Sequence, residues 1–425
     1  MTFDHLQQKF TQGLNWNGFL YLVYKVLTTG LSFILYYRLT TDNFSLWANI
    51  NSMVFLTLLW IDCGFRKSIP RYCPEFARNK EAKRWFIQSV ITVQAVILVI
   101  ALPLFIRVET MLLPTAHDTF YYLGASLLVT EGIIAILRLV FHSHFWIKQF
   151  NVLNTITVII EMVLNYVLIT TVSESSLAPA LIINKIAVGL VTILGGFIMM
   201  QWLYKDTSMV EQDNEPIDYG KLVRGFIKHS GIMWINNTLK SLTERNFMVP
   251  LLTHVVGPAQ ANMFKVANDG ALLFYRSIIK TIGTTDTSLF TFVEKLPDSK
   301  KLMPIAFKKV MRAIAALCLP LSGILVLIVG LNYKMHSDKF VFQLFLIITI
   351  AYLIESILSP YERILEVKKR YTKLFIAYTP YIIMISALLM FNIIPSIGLL
   401  TSILLIHGVR LVSSLIMIPY AHKEY

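Results

Sequence analysis

The chain contains 425 residues and has a formal net charge of +13; 56% of its residues are hydrophobic and only 15% are charged. Soluble globular domains carry about a quarter charged residues. This composition therefore excludes an ordinary cytosolic enzyme, a disordered chain and a nucleic-acid-binding domain. Because a bilayer-spanning helix needs about 20 mainly apolar residues, the composition predicts an all-α polytopic membrane protein.

Twelve apolar spans follow one another along the chain and predict twelve transmembrane helices. The residues before Leu14 are polar, and the first span is too long for a signal-peptide core, so we expect it to be a permanent anchor. The seventh span is the most polar, because amide and charged side chains interrupt it. The spans lie at Leu14–Tyr37, Phe44–Ile61, Trp85–Ile106, Phe120–Leu139, Val152–Thr171, Leu177–Leu203, His229–Leu252, Pro258–Ile279, Ala313–Leu331, Phe340–Leu358, Leu374–Met390 and Ile397–Tyr420.

Basic residues in the connecting loops predict the orientation of the chain. The loops after spans two, eight and ten are rich in Lys and Arg, whereas the loops on the opposite side contain only Arg38, Arg107, Lys334 and Lys339. The positive-inside rule then places both termini in the cytoplasm, provided that the seventh span crosses the membrane. We interpret most of these loop charges as contacts with anionic lipid headgroups.

A weak internal repeat predicts two pseudo-symmetric six-helix bundles around a central cavity. Lys185 and Arg410 are 225 residues apart, and each lies in the last helix of its half. The predicted domains are an N-terminal bundle at 1–204, an acidic cytoplasmic linker at 205–221 and a C-terminal bundle at 222–425. Parallel repeats of this kind are typical of transporters, in which the substrate binds between the halves near mid-membrane.

Charged residues inside the spans are the candidate functional residues, because each costs about 2.5–3.5 kcal/mol when it faces lipid. Bases outnumber acids, which predicts a cavity that binds an anion such as phosphate or pyrophosphate. The first-ranked candidate anion-binding residues are Lys25, Lys240, Arg245 and Lys265, and the second-ranked ones are Arg276, Lys185 and Arg410. The candidate ion-coupling residues are Glu131, Glu161, Asp269 and Glu355.

Each of these residues also has a structural interpretation. Arg276 lies near a helix end and can snorkel to the surface. The acids serve either as partners of the bases or as proton carriers, and the sequence does not distinguish the two roles. The candidate structural pairs are Lys240 with Glu244, Lys265 with Asp269, and Lys185 or Arg410 with Glu131 or Glu161.

No enzymatic motif is present. The sequence contains no HExxH, GxSxG, Walker A or Gly-rich dinucleotide loop. Membrane polymerases and ligases of sugar chains need a large extracytoplasmic loop, whereas the longest one expected here is residues 107–118. The three cysteines have no spacing that suggests a disulfide framework or a zinc site. We therefore expect a protein that is not an enzyme and that has no cofactor or metal.

Three local motifs carry a resemblance to a known family. Tyr37–Trp47 reads YRLTTDNFSLW at the start of span two, Ile61–Tyr72 reads IDCGFRKSIPRY at its end, and Ile394–Leu400 reads IPSIGLL before the last span. In order and at these helix ends, they resemble motifs of the multidrug/oligosaccharidyl-lipid/polysaccharide (MOP) flippase superfamily. Within it, the chain looks most like the Wzx-type lipid-linked oligosaccharide flippases.

This resemblance implies that the protein flips an undecaprenyl-diphosphate-linked oligosaccharide across the inner (cytoplasmic) membrane by alternating access. The product would serve O-antigen, capsule or exopolysaccharide synthesis. The implied partners are the lipid-linked oligosaccharide, membrane lipids and a polysaccharide polymerase, and the implied state is a monomer without nucleic acid. Lys25 resembles the first basic residue of span one in lipid II flippases, but the Arg-Asp pair of that branch is missing. The alternative is MATE-type, ion-coupled efflux of small molecules.

The predicted orientation can be tested by cysteine labelling in an otherwise cysteine-free chain. A cysteine at Pro258 should react with an impermeant maleimide added outside intact cells, because the loop after span seven is expected to face outward. A cysteine at Lys301 should react only after the cells are permeabilised. The reverse pattern at either position would contradict the predicted topology.

Overall fold

The computed structural model describes residues 23, 26–76, 80–112, 118–143, 147–207, 218–242, 244–283, 286–294, 296, 298–335, 338–391 and 393–424. Helices make up nearly all of these residues, and no strand occurs among them. The helices are α1 (26–38), α2 (Thr41–Ile61), α3 (Phe65–Phe76), α4 (Lys80–Leu112), α5 (Asp118–Ser143), α6 (Ile147–Thr171), α7 (Glu174–Thr207), α8 (Tyr219–Ser241), α9 (Arg245–Val255), α10 (Pro258–Gly283), α11 (Asp286–Glu294), α12 (Ser299–Met335), α13 (Lys339–Val367), α14 (Tyr371–Met390), α15 (Ile393–Ile397) and α16 (Leu399–His422).

Nine helices within the described ranges are long and apolar enough to cross a membrane, namely α2, α4, α5, α6, α7, α12, α13, α14 and α16. The other three predicted spans coincide with α1, with α8 and α9 together, and with α10. The first of these predicted spans begins outside the described residues. The seventh and eighth contain the charged side chains identified above, which lower their hydropathy below that of an ordinary span.

Two of the predicted cytoplasmic loops contain helices. The basic segment after span two forms α3, and the segment after span eight contains α11. At a rise of about 1.5 Å per residue, α3 is only about 18 Å long and is too short to span the bilayer. It buries Ile69, Tyr72 and Phe76 against Phe86 on α4 and Phe226 on α8. The sequence analysis missed this helix because it searched for apolar runs, and the basic residues of α3 lower its mean hydropathy.

The described chain divides into two compact units. One unit comprises residues 35–254, and the other comprises residues 1–34 together with residues 255–425. The beginning of α1 therefore packs with the C-terminal half of the sequence, and α8 packs with the N-terminal half. These boundaries differ from the sequence-based halves at 1–204 and 222–425, and most of the predicted linker at 205–221 lies outside the described residues.

Specific contacts explain where α1 and α8 pack. In the unit that joins the two ends of the chain, Ser32 on α1 donates a hydrogen bond to Asp269 on α10 at 2.6 Å. In the unit of residues 35–254, the indole N–H of Trp234 on α8 donates to the carbonyl oxygen of Trp60 on α2 at 2.8 Å. Helix order in the sequence therefore does not decide helix partners.

A tight turn joins α2 to α3 and contacts α8. Cys63 and Gly64 have positive φ angles of 49° and 74°. A Cβ atom at Gly64 would lie 2.2 Å from the Ser230 carbonyl oxygen and 2.8 Å from the Trp234 amide nitrogen. Asp62 precedes this turn, and burial raises the pKa of its carboxyl even though Arg66 opposes the shift. The family-like motif at Ile61–Tyr72 therefore has a clear structural role.

We expect Gly64→Ala to destabilise the protein. The left-handed backbone alone costs about 1–2 kcal/mol for a residue with a Cβ atom, and the contact with the α8 backbone adds to this cost. Gly231→Ala on α8 is the matched control, because nothing lies within 4 Å of its added Cβ atom. Thermal unfolding in detergent should show a lower midpoint for Gly64→Ala only. Equal midpoints for the two variants would contradict this account.

Candidate functional site

A half-buried network centred on Lys185 lies in the unit of residues 35–254. The Lys185 ammonium on α7 donates to Oδ1 of Asn51 on α2 at 2.7 Å. It lies 3.9 Å from Oε1 of Glu131 on α5 and 4.5 Å from the centre of the Phe55 ring. A carboxylate, an amide oxygen and an aromatic face are all groups that interact favourably with an ammonium group.

A second carboxylate belongs to the same network. Glu161 on α6 interacts electrostatically with both Lys185 and Glu131, and its side chain forms a hydrogen bond with Asn165. Asn184 on α7 donates to Oδ1 of Asn165 at 2.8 Å. Two acids, Glu131 and Glu161, therefore interact with the same ammonium group.

The other unit contains a corresponding network centred on Arg410. A hydrogen bond and an ion pair join the Arg410 guanidinium on α16 to Glu355 on α13. The Tyr275 hydroxyl on α10 donates to the same Glu355 oxygen at 3.3 Å, and its ring stacks on Tyr352 at 4.6 Å. His407, one turn before Arg410, contacts the Tyr352 ring edge to face.

The two networks use equivalent positions of the predicted repeat. Glu131 and Glu355 are 224 residues apart, and Lys185 and Arg410 are 225 residues apart. In each unit, the acid on the fourth predicted span pairs with the base on the sixth span of the same half. Arg410 thus pairs with Glu355, and not with Glu131 or Glu161, which were the partners that the sequence suggested.

A third buried pair joins α10 to α1. The Lys265 ammonium donates to Asp269 and to the Ser32 hydroxyl, both at 2.8 Å. All three side chains are almost completely buried. Lys265 therefore pairs with Asp269, four residues further along the same helix. This is the structural interpretation of Lys265 given in the sequence analysis.

Lys240 and Arg245 lie at a break in the seventh predicted span. Lys240 is in the last turn of α8, Arg245 is the first residue of α9, and residues 242 and 244 between these helices are not helical. We call this interruption the α8–α9 break; residue 243 is not among the described residues. Both basic side chains are half-buried, and Nε of Arg245 donates to Oδ1 of Asn246 at 3.3 Å. The sequence detected the charges but not the break.

The remaining candidate anion-binding residues are Lys25 and Arg276. Lys25 lies outside the described residues, and Arg276 lies on α10 with a side chain outside the described part. Among the described first-ranked bases, Lys265 pairs with Asp269. Lys240 and Arg245 flank the α8–α9 break, and Glu244 lies between them. Sequence reasoning overlooked Asn51 and Tyr275; the signal available for them was a polar group inside an otherwise apolar span.

Comparison with known proteins identifies the fold. No protein-family model and no curated protein sequence matches the chain. A MOP superfamily transporter from Pyrococcus furiosus, described as having a binding pocket of reverse polarity, superimposes with a TM-score of 0.68 at 12% identity, over 97% of this chain and 95% of that chain.

Two structures of a multidrug resistance MATE family transporter of the MOP superfamily are also similar. The outward-facing one has a TM-score of 0.67 at 12% identity over 97% of this chain and 94% of that chain. The inward-facing one has a TM-score of 0.64 at 12% identity over 96% of this chain and 94% of that chain. This multi-pass membrane protein therefore has the fold of the MATE transporters of the MOP superfamily. Its twelve predicted membrane spans form two pseudo-symmetric bundles.

Proposed function

We propose that the protein is a transporter that flips an undecaprenyl-diphosphate-linked oligosaccharide from the inner to the outer face of the cytoplasmic membrane by alternating access. The sequence motifs that resemble Wzx-type flippases support this substrate class. Alternating access is supported by the outward-facing and inward-facing structures of similar transporters.

The observation that carries the proposal is the α8–α9 break with a base on each side. A helix N-terminus inside the membrane presents backbone N–H groups and the positive end of its dipole. Transporters use such half-helix ends to hold anionic substrate groups. Lys240 lies before the break, Arg245 lies after it, and the acid Glu244 lies between them. Arg offers a diphosphate two parallel hydrogen bonds, and Lys offers it a point charge.

The charge of the binding pocket also bears on which substrate a transporter of this fold carries. The similar P. furiosus transporter is described as having a pocket of reverse polarity that suggests a different function. By analogy, we assign the bases at the α8–α9 break to an anionic substrate. Lys25 and Arg276 remain further candidates from the sequence, while Lys185, Lys265 and Arg410 are better explained as partners of acids.

We infer that a proton is the coupling ion and that the Lys185 network carries it. The network places two carboxyl groups, those of Glu131 and Glu161, near one ammonium group, so it contains one more acid than base. Arg410 pairs with Glu355, and Lys265 pairs with Asp269. Of the four candidate ion-coupling residues, we favour Glu131 and Glu161, because they place two acids near the same base.

Lys240→Ala and Arg245→Ala should each reduce flipping while leaving the amount of protein in the membrane unchanged. Loss of one charge-assisted phosphate contact should cost about 1.5–3 kcal/mol of binding free energy, which lowers substrate affinity roughly 10- to 100-fold. Complementation of a deletion strain measures this as lost surface polysaccharide and accumulated lipid-linked sugar on the cytoplasmic side. Lys228→Ala is the matched control, because Lys228 is an exposed base earlier on α8.

The same strain distinguishes the alternative function. Normal surface polysaccharide in the deletion strain, together with increased sensitivity to toxic small molecules, would contradict the flippase proposal and favour MATE-type efflux.

Glu161→Gln should uncouple transport from the proton gradient, because it removes the surplus carboxylate and leaves Glu131 to pair with Lys185. In proteoliposomes loaded with a pH-sensitive dye, lipid-linked oligosaccharide should move protons with the wild type and not with Glu161→Gln. Glu174→Gln, at the exposed start of α7, should behave as the wild type. Proton movement that persists in Glu161→Gln would exclude this network as the coupling site.

A further inference from the structure

One buried carboxyl has no role in the networks described above. Glu109 lies in the last turn of α4 and is 0% exposed. Neither of its carboxyl oxygens has a hydrogen-bond partner within the described ranges. The sequence had assigned this residue to an outer loop, since the apolar run that predicts the third span ends at Ile106. Burial of an ionised carboxylate without any partner costs several kcal/mol.

The carboxyl occupies a notch made by a glycine. A Cβ atom added to Gly124 on α5 would lie 2.5 Å from Oε1 and 2.8 Å from Oε2 of Glu109. The carboxyl therefore lies directly against the α5 backbone. Two turns further along α5, a Cβ atom at Gly132 would lie 2.7 Å from the Leu98 side chain on α4. These two glycines allow α4 and α5 to approach closely.

The described surroundings of Glu109 provide no compensating positive charge. No described base forms an ion pair with Glu109, and Arg107 on the same helix is exposed. From α5 the nearby titratable groups are Tyr121 and Asp118, and Tyr121 interacts electrostatically with Glu109. The titratable group at the start of α2 is Asp42, which is exposed, and α3 packs at the opposite end of α4. The negative end of the α4 dipole further disfavours an anion here.

We propose that Glu109 is a proton-binding site in which the α4–α5 contact holds the carboxyl protonated, so that loss of the proton loosens this contact. The ligand is a single proton, and it leaves to water when the notch opens. Acid conditions then stabilise the packed helices and alkaline conditions weaken them. This site is separate from the Lys185 network and does not depend on the proposed substrate.

Infrared difference spectroscopy tests the protonation state directly. A protonated carboxyl has a C=O stretching band that an ionised carboxylate lacks. The spectrum of the wild type minus that of Glu109→Gln should show this band at pH 7. Gly124→Ala should shift the band, because its methyl group displaces the carboxyl from the notch. Gly132→Ala alters the same helix contact without touching Glu109 and should leave the band in place.

Thermal unfolding tests the link between the proton and the helix contact. The unfolded chain releases the Glu109 proton in the ordinary glutamate range, whereas the packed state retains it. The wild type should therefore lose stability relative to Glu109→Gln as the pH rises from 5 to 8. We expect the two midpoints to coincide at pH 5 and to differ by a few degrees at pH 8, with Glu174→Gln following the wild type.

Two results would overturn the proposal. The first is the absence of a protonated carboxyl band that depends on Glu109 at pH 7. The second is an unfolding midpoint of Glu109→Gln that changes with pH in parallel with that of the wild type. If Glu109→Gln fails to fold, the comparison of Gly124→Ala with Gly132→Ala in the infrared experiment still decides the matter.

Discussion

The need to neutralise charge inside an apolar interior dominates this structure. Each charged group in a membrane helix must find an opposite charge, a hydrogen bond or water. Lys185, Lys265 and Arg410 satisfy this need by pairing with an acid. The Lys185 and Arg410 pairs each join two helices, and Ser32 extends the Lys265 pair to a second helix. The ion pairs that neutralise these charges therefore also hold helices together within each unit.

The corresponding bases of the two units, Lys185 and Arg410, have different acidic partners. Arg410 pairs with Glu355, to which Tyr275 donates a hydrogen bond. Lys185 faces two acids, one of them on α6. The corresponding helix of the other half, α14, has no acidic residue. The proposed ion-coupling role rests on the additional acid in the Lys185 network. The pseudo-symmetric fold thus places charge networks of different composition at equivalent positions.

Much of the fold could be predicted from the sequence, because apolar runs and loop charges are local signals. The repeat also identified Lys185 and Arg410 as equivalent residues. The pairing of charges was harder to predict, since Glu355 and Arg410 are 55 residues apart and nothing local links them. Counting bases against acids therefore overestimated the bases available to a substrate. Glu109 was missed because α4 extends six residues beyond the apolar run, to Leu112.

The packing of α1 has a consequence for biogenesis. Ser32 and Asp269 are 237 residues apart in sequence, yet both belong to one compact unit. At synthesis rates of about 5–20 residues per second, the first helix waits roughly 10–50 s before its partner emerges from the ribosome. During this interval the polar side of α1 has no permanent neighbour in its own unit. The insertion machinery, or a transient contact with other early helices, must shield it until translation reaches α10.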